Sequence, residues 1–230
     1  MDLEEIFPHL HLLRFGVGQA YLWLDADSLT LIDSGPAGSA PAIAEAIRAL
    51  GRRPAELQRI VLTHGHDDHI GGAAEAAGWG GAQVFAGAAD AAQIRGEVPI
   101  PDLVFAAEWE RELFDSLPYL PPAGPVPVDV ELREGDTLDF GGGARVIAVP
   151  GHTEGSIALH LPDAQVLFTG DTISNVQQQT RLGVFNLDTD QAVESLHRQA
   201  ELPVETACFG HGEPIATGAA ERLRRALPQG

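Results

Sequence analysis

The feature that most constrains the fold of this chain is a run from Thr63 to His69 that holds three histidines and two aspartates. Such a run is poor core material, because burying polar and charged groups without partners is costly. Imidazole nitrogens and carboxylate oxygens are natural ligands of zinc, and they also bind iron and manganese. His64 and His66 are two residues apart, so in an extended segment both side chains point to one side and can bind one ion. Asp68 and His69 continue the turn and can reach a second ion beside the first.

Four further short motifs carry a histidine or an aspartate directly after an apolar stretch, where a strand would end. Such strand ends are where α/β folds place their ligand sites. His152 and His211 come from separate strand ends, so each can complete the ligand set of one ion. Asp171 can bridge the two ions, because a carboxylate has two oxygens. The four motifs are Asp33-Ser34-Gly35, Pro150-Gly151-His152-Thr153, Thr169-Gly170-Asp171-Thr172 and Phe209-Gly210-His211-Gly212.

The composition favours a cytoplasmic enzyme or binding protein. With 230 residues, 44% of them hydrophobic, the chain can bury a substantial core as one domain. All 14 basic residues are arginine, so there is neither a lysine Schiff base nor a P-loop lysine. The formal charge of −19 opposes binding to nucleic acid and to anionic lipid. We therefore expect a small-molecule substrate, no nucleic-acid or membrane partner, and a homodimer as one option for assembly.

Three local signals agree with that expectation. No apolar run approaches the length needed to span a bilayer. The acidic residues at the start of the chain are unlike the basic region of a signal peptide. The single cysteine, Cys208, excludes an intrachain disulfide.

Hydrophobic periodicity and turn residues predict a chain in which strands dominate each half and helices follow them. Sheet-on-sheet packing with helices outside is the natural solution for that order. We expect one domain over residues 1–230, with an insertion at about residues 96–128. Strands are predicted at 11–14, 20–24, 28–32, 57–62, 82–85, 128–132, 145–149, 156–161, 165–168 and 206–209, and helices at 39–51, 68–77, 88–95, 108–117, 189–200 and 218–227.

Taken in order, these motifs resemble those of the metallo-β-lactamase superfamily of dinuclear hydrolases. The pattern His64-x-His66-x-Asp68-His69, with Asp33 before it and His152, Asp171 and His211 after it, matches all five superfamily motifs and spans most of the chain. The resemblance implies an αββα sandwich, with two mixed sheets, helices outside and a dinuclear site at one edge. It also implies two divalent ions, with zinc first and iron or manganese as alternatives.

The resemblance further implies a role for each residue of the site. His64, His66 and His152 hold the first ion, and Asp68, His69 and His211 hold the second. Asp171 bridges the ions and Asp33 supports the site from outside, so that Asp33, Asp68 and Asp171 are the catalytic candidates. A water between two cations is hydroxide near neutral pH and can attack a carbonyl or phosphoryl centre. The prediction is a hydrolase that cleaves an ester, thioester or lactone bond.

The ligand types narrow the choice among superfamily members. Zinc-cysteine β-lactamases use a cysteine where this chain has Asp171, so that activity is disfavoured. Glyoxalase II and acyl-homoserine-lactone lactonases remain, and both cleave an acyl ester or thioester. Lactonases place a tyrosine soon after the bridging aspartate, and this chain has none there. Asn175, Arg181 and Tyr119 are then the candidates to assist the carbonyl.

Two other functions stay open on the sequence alone. One is a mononuclear iron oxidoreductase like the persulfide dioxygenases, in which the second ligand set is present but unused. The other is a metal-binding protein without turnover. Metal content separates the first from a hydrolase, since two zinc-like ions favour hydrolysis and one redox-active iron favours oxidation.

The insertion is proline-rich and carries several large apolar side chains that have no obvious reason to be exposed. One hypothesis is that they wall the metal cleft and select an apolar substrate group. The alternative is that they pack onto the sandwich or form a dimer contact. These side chains are Ile100, Leu103, Phe105, Trp109, Phe114 and Tyr119.

The remaining polar candidates are interpreted as structural. The serines following the motifs are turn or capping residues, Cys208 packs in its strand, and Asp67 caps the helix that follows it. Four histidines have no ligand partner at sequence spacing: His9, His11, His160 and His197.

Overall fold

Two mixed β-sheets form the framework of the computed structural model, which describes residues 1–227. The chain divides into two compact units. The first comprises Met1–Ile100 and Leu120–Leu132, and the second comprises Pro101–Tyr119 and the chain from Arg133 onward. The predicted insertion is therefore shared between the units, and its helix belongs to the second.

The first unit is built on a seven-stranded sheet whose strands lie in sequence order. The first four strands pair antiparallel through short turns, and the last four pair parallel, so helices fill the crossover connections. The strands are β1 Asp2–Phe7, β2 Leu10–Arg14, β3 Gln19–Leu24, β4 Leu29–Ile32, β5 Leu57–Leu62, β6 Gln83–Gly87 and β7 Val130–Leu132. The helices are α1 Ala40–Ala49, α2 Asp67–Ile70, α3 Ala73–Ala77 and α4 Ala91–Ile94, with a 3-10 turn at Pro54–Glu56.

Apolar residues of β4 and β5 hold this sheet against helix α1. Leu31 and Ile60 are fully buried in the same cluster as Ile43 and Ile47 of the helix. Burying each such side chain contributes about 1.5–3 kcal/mol. Both strands are thereby fixed up to their carboxyl ends, where Asp33 and the histidine run begin.

The single helix predicted over residues 68–77 is wrong, because the structure has two short helices, α2 and α3, separated by two glycines. A Cβ on Gly71 would lie 2.2 Å from the backbone of Pro36 and Ala37, and one on Gly72 would lie 2.7 Å from the carbonyl of Ser34. The glycines thus allow the turn to pack directly on the loop that follows β4. This close approach sets the histidine run beside Asp33.

The second unit contains a five-stranded sheet in the order β14-β11-β10-β9-β8 and a separate hairpin of β12 and β13. Within the sheet, β14 runs parallel to β11, and the other pairs are antiparallel. The strands are β8 Thr137–Leu138, β9 Ala144–Ala148, β10 Ile157–Leu161, β11 Val166–Phe168, β12 Ile173–Val176, β13 Gln179–Leu182 and β14 Thr206–Cys208. The helices are α5 Glu108–Ser116, α6 Thr189–Ala200 and α7 Ala219–Arg225, with a 3-10 turn at Gly170–Thr172.

The helix predicted at residues 189–200 is confirmed as α6. Asp188 accepts a hydrogen bond from the backbone N–H of Gln191 and so caps its first turn. Among the helices that the structure describes, none combines the length and the hydropathy required for a membrane span.

Candidate metal centre

The histidine run of the first unit brings two ligand nitrogens within 3.0 Å of one another, namely Nε2 of His64 and Nδ1 of His66. The two rings are nearly perpendicular, at 87°. Two nitrogens bound to one tetrahedral zinc lie about 3.3 Å apart, given a Zn–N distance of about 2.0 Å. The pair therefore fits two ligands of a single ion.

Asp33 holds the run in place from the end of the neighbouring strand. Its Oδ1 accepts a hydrogen bond from the backbone N–H of Thr63 at 2.7 Å, and its Oδ2 accepts one from the Thr63 hydroxyl at 2.8 Å. Oδ2 also lies 2.9 Å from Nδ1 of His69. This pairing favours the tautomer with the proton on Nδ1, which leaves Nε2 as a ligand nitrogen. The geometry is the one that a supporting role of Asp33 requires.

The same turn places a second pair of ligand atoms close together. Nε2 of His69 lies 3.7 Å from Oδ2 of Asp68. His69 is fully buried, and the Asp68 side chain is 16% exposed. Both atoms face one another from adjacent residues of α2, as ligands of one ion would.

The second unit assembles the other predicted ligands around one carboxylate oxygen. Oδ2 of Asp171 lies 3.1 Å from Nε2 of His211 and 3.7 Å from Nε2 of His152. Asp171 follows β11 and His211 follows β14, and because these strands are parallel neighbours, both residues emerge at one edge of the sheet. A carboxylate placed between two imidazoles is the arrangement that a bridging ligand requires.

Close packing by α6 supports the loop that carries His152. Gly151 has a φ of +128°, and a Cβ there would lie 2.2 Å from the backbone nitrogen of Ala192. The Ser195 hydroxyl donates a hydrogen bond to the carbonyl of Pro150 at 2.7 Å. The loop is therefore fixed by the first turns of the helix, and His152 is only 2% exposed.

Sequence reasoning missed two residues that brace the first ligand run. The backbone N–H of Gly65 donates to Oδ2 of Asp90 at 3.0 Å, and its carbonyl accepts from Nε2 of Gln93 at 3.1 Å. Asp90 is 2% exposed. The available signal was that Asp90 is the single charged residue within an alanine run at positions 88–92. The sequence pattern around Asp90 predicts only a helix and no contact with the histidine run.

Of the three candidates to assist the carbonyl, Asn175 is the one whose polar atoms are already engaged in hydrogen bonds within the fold. Its Nδ2 donates to the carbonyl of Glu213 at 2.7 Å, and its Oδ1 accepts from the Thr180 hydroxyl at 3.0 Å. Its role is to hold the segment after His211. Arg181 and Tyr119 are exposed and stay candidates.

The prediction that Asp67 caps a helix is wrong, because His66 occupies the N-cap of α2. Oδ1 of Asp67 instead accepts a hydrogen bond from the backbone N–H of Ala123 at 2.8 Å. It thereby anchors the returning segment of the insertion to the ligand run.

Burial shifts the pKa of the thiol and of two buried histidines away from their usual values. Burial raises the pKa of the Cys208 thiol well above its usual value, which agrees with a packing role. Burial lowers the pKa of His11, against a smaller opposing effect of Glu5. Burial also lowers the pKa of His160, and Arg145 lowers it further.

The sequence of this chain is similar to a known protein family and to individual curated proteins. A family model described as the metallo-beta-lactamase superfamily matches residues 13–211. The chain is 34% identical over 173 residues to the hydroxyacylglutathione hydrolase of Cereibacter sphaeroides, covering 74% of this chain and 54% of that protein. It is 29% identical over 204 residues to the probable metallo-hydrolase YflN of Bacillus subtilis, covering 82% of this chain and 76% of that protein. The chain thus spans about half the length of the hydroxyacylglutathione hydrolase that it matches.

Solved structures give the same result for the fold. A substituted metallo-beta-lactamase from Cronobacter sakazakii aligns with a TM-score of 0.74 at 25% identity, covering 98% of this chain and 94% of that one. A metallo-beta-lactamase family protein from Thermus thermophilus aligns with a TM-score of 0.71 at 26% identity, covering 96% of this chain and 78% of that one. The fold class predicted from the sequence is confirmed.

Proposed function

The chain belongs to the metallo-beta-lactamase superfamily, and from that premise we propose that it is a metal-dependent hydrolase of ester, thioester or lactone bonds. The observation that carries the proposal is the spacing of ligand atoms within each unit. Four pairs of imidazole or carboxylate atoms lie 3.0, 3.1, 3.7 and 3.7 Å apart. Such separations fit neighbouring ligands on one metal ion.

We propose two ions per chain, with zinc as the metal and iron or manganese as the alternatives to test. His64, His66 and His152 would hold the first ion, and Asp68, His69 and His211 the second, with Asp171 as the shared ligand. Each of these seven residues offers an imidazole nitrogen or a carboxylate oxygen as a ligand atom. The chemistry of the set supports zinc, because it combines imidazole nitrogens with carboxylate oxygens.

Divalent ions in such a site lower the pKa of a bound water toward neutrality and polarise a carbonyl oxygen. The protein contributes the placement of the ligands. His69 is held by Asp33 and His152 by the packing of α6, and both side chains are almost fully buried. His211 is the more open ligand, with a side chain 35% exposed. We propose that substrate approaches from the side of His211.

The relatives favour the thioester class within this range. The hydroxyacylglutathione hydrolase of Cereibacter sphaeroides acts, by its name, on an acyl thioester of glutathione. Because this chain spans only about half of that protein, we carry over the bond type and not the thiol. We propose that the substrate is an acyl ester or thioester.

The test is substitution of the shared ligand. Asp171→Ala removes the carboxylate that would contact both ions and offset their repulsion, so we expect metal content and hydrolysis of p-nitrophenyl acetate to fall together. Asp163→Ala, an exposed aspartate on the turn between β10 and β11, is the matched control and should keep both. An Asp171→Ala protein that retains its metal and hydrolyses the ester at the parent rate would overturn the proposal.

A further inference from the structure

Three phenylalanines form an aromatic triad in the second unit, made of Phe105, Phe114 and Phe185. The ring centres are 5.7 Å apart for Phe105 and Phe114, and Phe185 lies 5.8 Å from each of them. Phe185 meets both partners edge to face, at 82° and 86°. These are favourable geometries for aromatic rings. The triad is nevertheless not closed off from solvent, because Phe114 is 42% exposed and the other two rings are partly buried.

Phe185 ties this triad to the loops that carry two of the predicted ligands. Two residues before it, the N–H of Gly183 donates to the carbonyl of Thr172 at 2.9 Å. Two residues after it, the N–H of Leu187 donates to the carbonyl of His152 at 3.3 Å. The backbone of the short segment between these bonds therefore lies against the loops of both candidate ligands.

The contact with the loop of Asp171 is especially close. A Cβ on Gly183 would lie 1.8 Å from the carbonyl oxygen of Asp171, so only glycine allows this approach. On the other side, the N–H of Asp188 donates to the carbonyl of Gly151 at 2.9 Å. The segment from Gly183 to Asp188 thus spans the backbone of one ligand loop to the other.

The backbone of Phe185 is itself in an uncommon conformation, with a φ of +59°. The left-handed region is unfavourable for a bulky side chain, and such outliers persist where the surroundings hold them. Here the flanking hydrogen bonds fix the backbone and the two other rings fix the side chain. An aromatic ring held in this way, on a segment bonded to the loops of His152 and Asp171, is suited to contact a substrate.

Charge around the triad indicates which substrate group it suits. The segment Pro101–Tyr119 has one basic residue, Arg111, whose guanidinium carbon lies 4.5 Å from the centre of the Phe105 ring. The same segment has five carboxylate residues: Asp102, Glu108, Glu110, Glu112 and Asp115. Glu110 is buried and accepts from the N–H of Ala106 at 2.6 Å, and Arg111 offsets one of the other four carboxylates. The remaining charge of the segment is negative, so its apolar surface favours a neutral group over an anionic one.

We propose that the aromatic triad binds the acyl group of the substrate and selects a neutral, apolar acyl chain over a short or anionic one. This inference rests on the proposed hydrolase function, whose ester or thioester bond would lie at the metal ions. Phe185 is the specificity-determining residue, because it contacts both other rings and its segment is bonded to both ligand loops. The predicted role of Phe105 and Phe114 in substrate selection thereby gains a structural basis.

The experiment compares kcat/KM for p-nitrophenyl octanoate and p-nitrophenyl acetate, with mono-p-nitrophenyl suberate as an ester whose eight-carbon acyl chain ends in a carboxylate. The parent is expected to prefer octanoate. Phe185→Asn, in which asparagine tolerates the left-handed backbone, and Phe114→Ala should each lower the octanoate-to-acetate ratio about tenfold, through a raised KM for octanoate. The double variant should lose less than the product of the two effects, because both substitutions open the same surface. Metal content should stay at the parent level in all three.

Leu117→Ala is the matched control, since Leu117 is an exposed apolar residue at the end of the same helix and lies outside the triad. It should keep the parent ratio. An unchanged ratio in both Phe185→Asn and Phe114→Ala would overturn the proposal, as would a parent that prefers acetate or mono-p-nitrophenyl suberate. If Phe185→Asn loses metal while its octanoate-to-acetate ratio is unchanged, Phe185 supports the ligand loops and does not select the acyl chain.

A direct binding measurement separates failure of this inference from failure of the proposed function. Calorimetric titration with octanamide, an uncharged acyl analogue, should show binding to the parent and at least tenfold weaker binding to Phe185→Asn. If metal-loaded parent hydrolyses no ester but still binds octanamide through Phe185, the hydrolase proposal fails and the acyl surface stands. If octanamide does not bind, or binds both proteins equally, the acyl surface is overturned.

Discussion

At the scale of single residues, Asp33 determines how the first ligand run is oriented. Its carboxylate accepts three hydrogen bonds, two from Thr63 and one from Nδ1 of His69. Asparagine at position 33 has nearly the same shape as aspartate and tolerates the φ of +57°. Its side-chain NH2 group donates hydrogen bonds and accepts none, so Asp33→Asn loses at least one of these three bonds. We expect metal affinity to fall about 10- to 100-fold, measured by zinc titration against a chromophoric chelator.

The control for this change is Asp27→Ala, which removes an exposed carboxylate from the turn before β4. Its zinc affinity should equal that of the parent. Parent-like affinity in Asp33→Asn would remove the supporting role assigned to Asp33.

Cys208 gives a second prediction at this scale. It is 1% exposed in β14, and burial raises the pKa of its thiol well above the usual value. Because the thiolate is the reactive form, the native protein should react only slowly with a chromogenic disulfide at pH 8, whereas protein unfolded in guanidinium should release one equivalent per chain. Fast stoichiometric labelling of the native protein would contradict the packing role.

Candidate ligand residues can be proposed from the sequence because metal chemistry restricts ligands to a few residue types at a few spacings. The residues that support the backbone of the histidine run could not be predicted in this way. Asp90 and Gln93 act through the backbone of Gly65, and any polar side chain at any sequence distance can contact a backbone amide. Only the three-dimensional fold identifies them.

At the scale of secondary-structure elements, the β12–β13 hairpin supports the segment after His211. Nδ2 of Asn175 donates to the carbonyl of Glu213, and its Oδ1 accepts from the Thr180 hydroxyl and, at 3.2 Å, from the guanidinium of Arg222. Asn175→Ala leaves these groups without their partner. We expect it to lower the free energy of unfolding by about 1–3 kcal/mol, measured as a reduced urea midpoint.

Gln179→Ala, at an exposed position of the same hairpin, should stay within about 0.5 kcal/mol of the parent. Equal urea midpoints for Asn175→Ala and the parent would show that the hairpin does not depend on these contacts.

The same hairpin shows where prediction from sequence failed. Its strands contain Ser174, Asn175, Gln179, Thr180 and Arg181, so they lack the alternating apolar pattern that identifies a half-buried strand. By contrast, helix α6 was predicted to its exact bounds, since an amphipathic pattern and a capping aspartate both mark it. Elements held by tertiary polar contacts leave little local signal.

At the scale of the whole molecule, two buried histidines couple stability to pH. Burial lowers the pKa of His11 and of His160 in the folded chain. In the unfolded chain their pKa is about 6.5, so below that pH the unfolded state binds more protons than the folded state. The free energy of unfolding is therefore not reduced by these histidines above about pH 6.5. It decreases as the pH falls from 6.5 toward their lowered pKa values in the folded chain.

The measurement is the urea midpoint of metal-free protein between pH 8 and pH 5. The midpoint should fall over this range, and His160→Asn should make the fall shallower. His197→Asn, at an exposed position of α6, is the control and should leave the slope unchanged. Identical slopes for the parent and His160→Asn would exclude His160 as a source of the pH dependence.

The most direct test of the central claim is elemental analysis of the protein as purified, coupled to a panel of esters, thioesters and lactones. We predict two divalent ions per chain, hydrolysis of at least one panel member, loss of that hydrolysis on chelation, and its recovery when zinc is added back. One redox-active iron per chain without hydrolysis would contradict the account in favour of an oxidoreductase. Two ions without turnover of any panel member would contradict it in favour of a metal-binding protein.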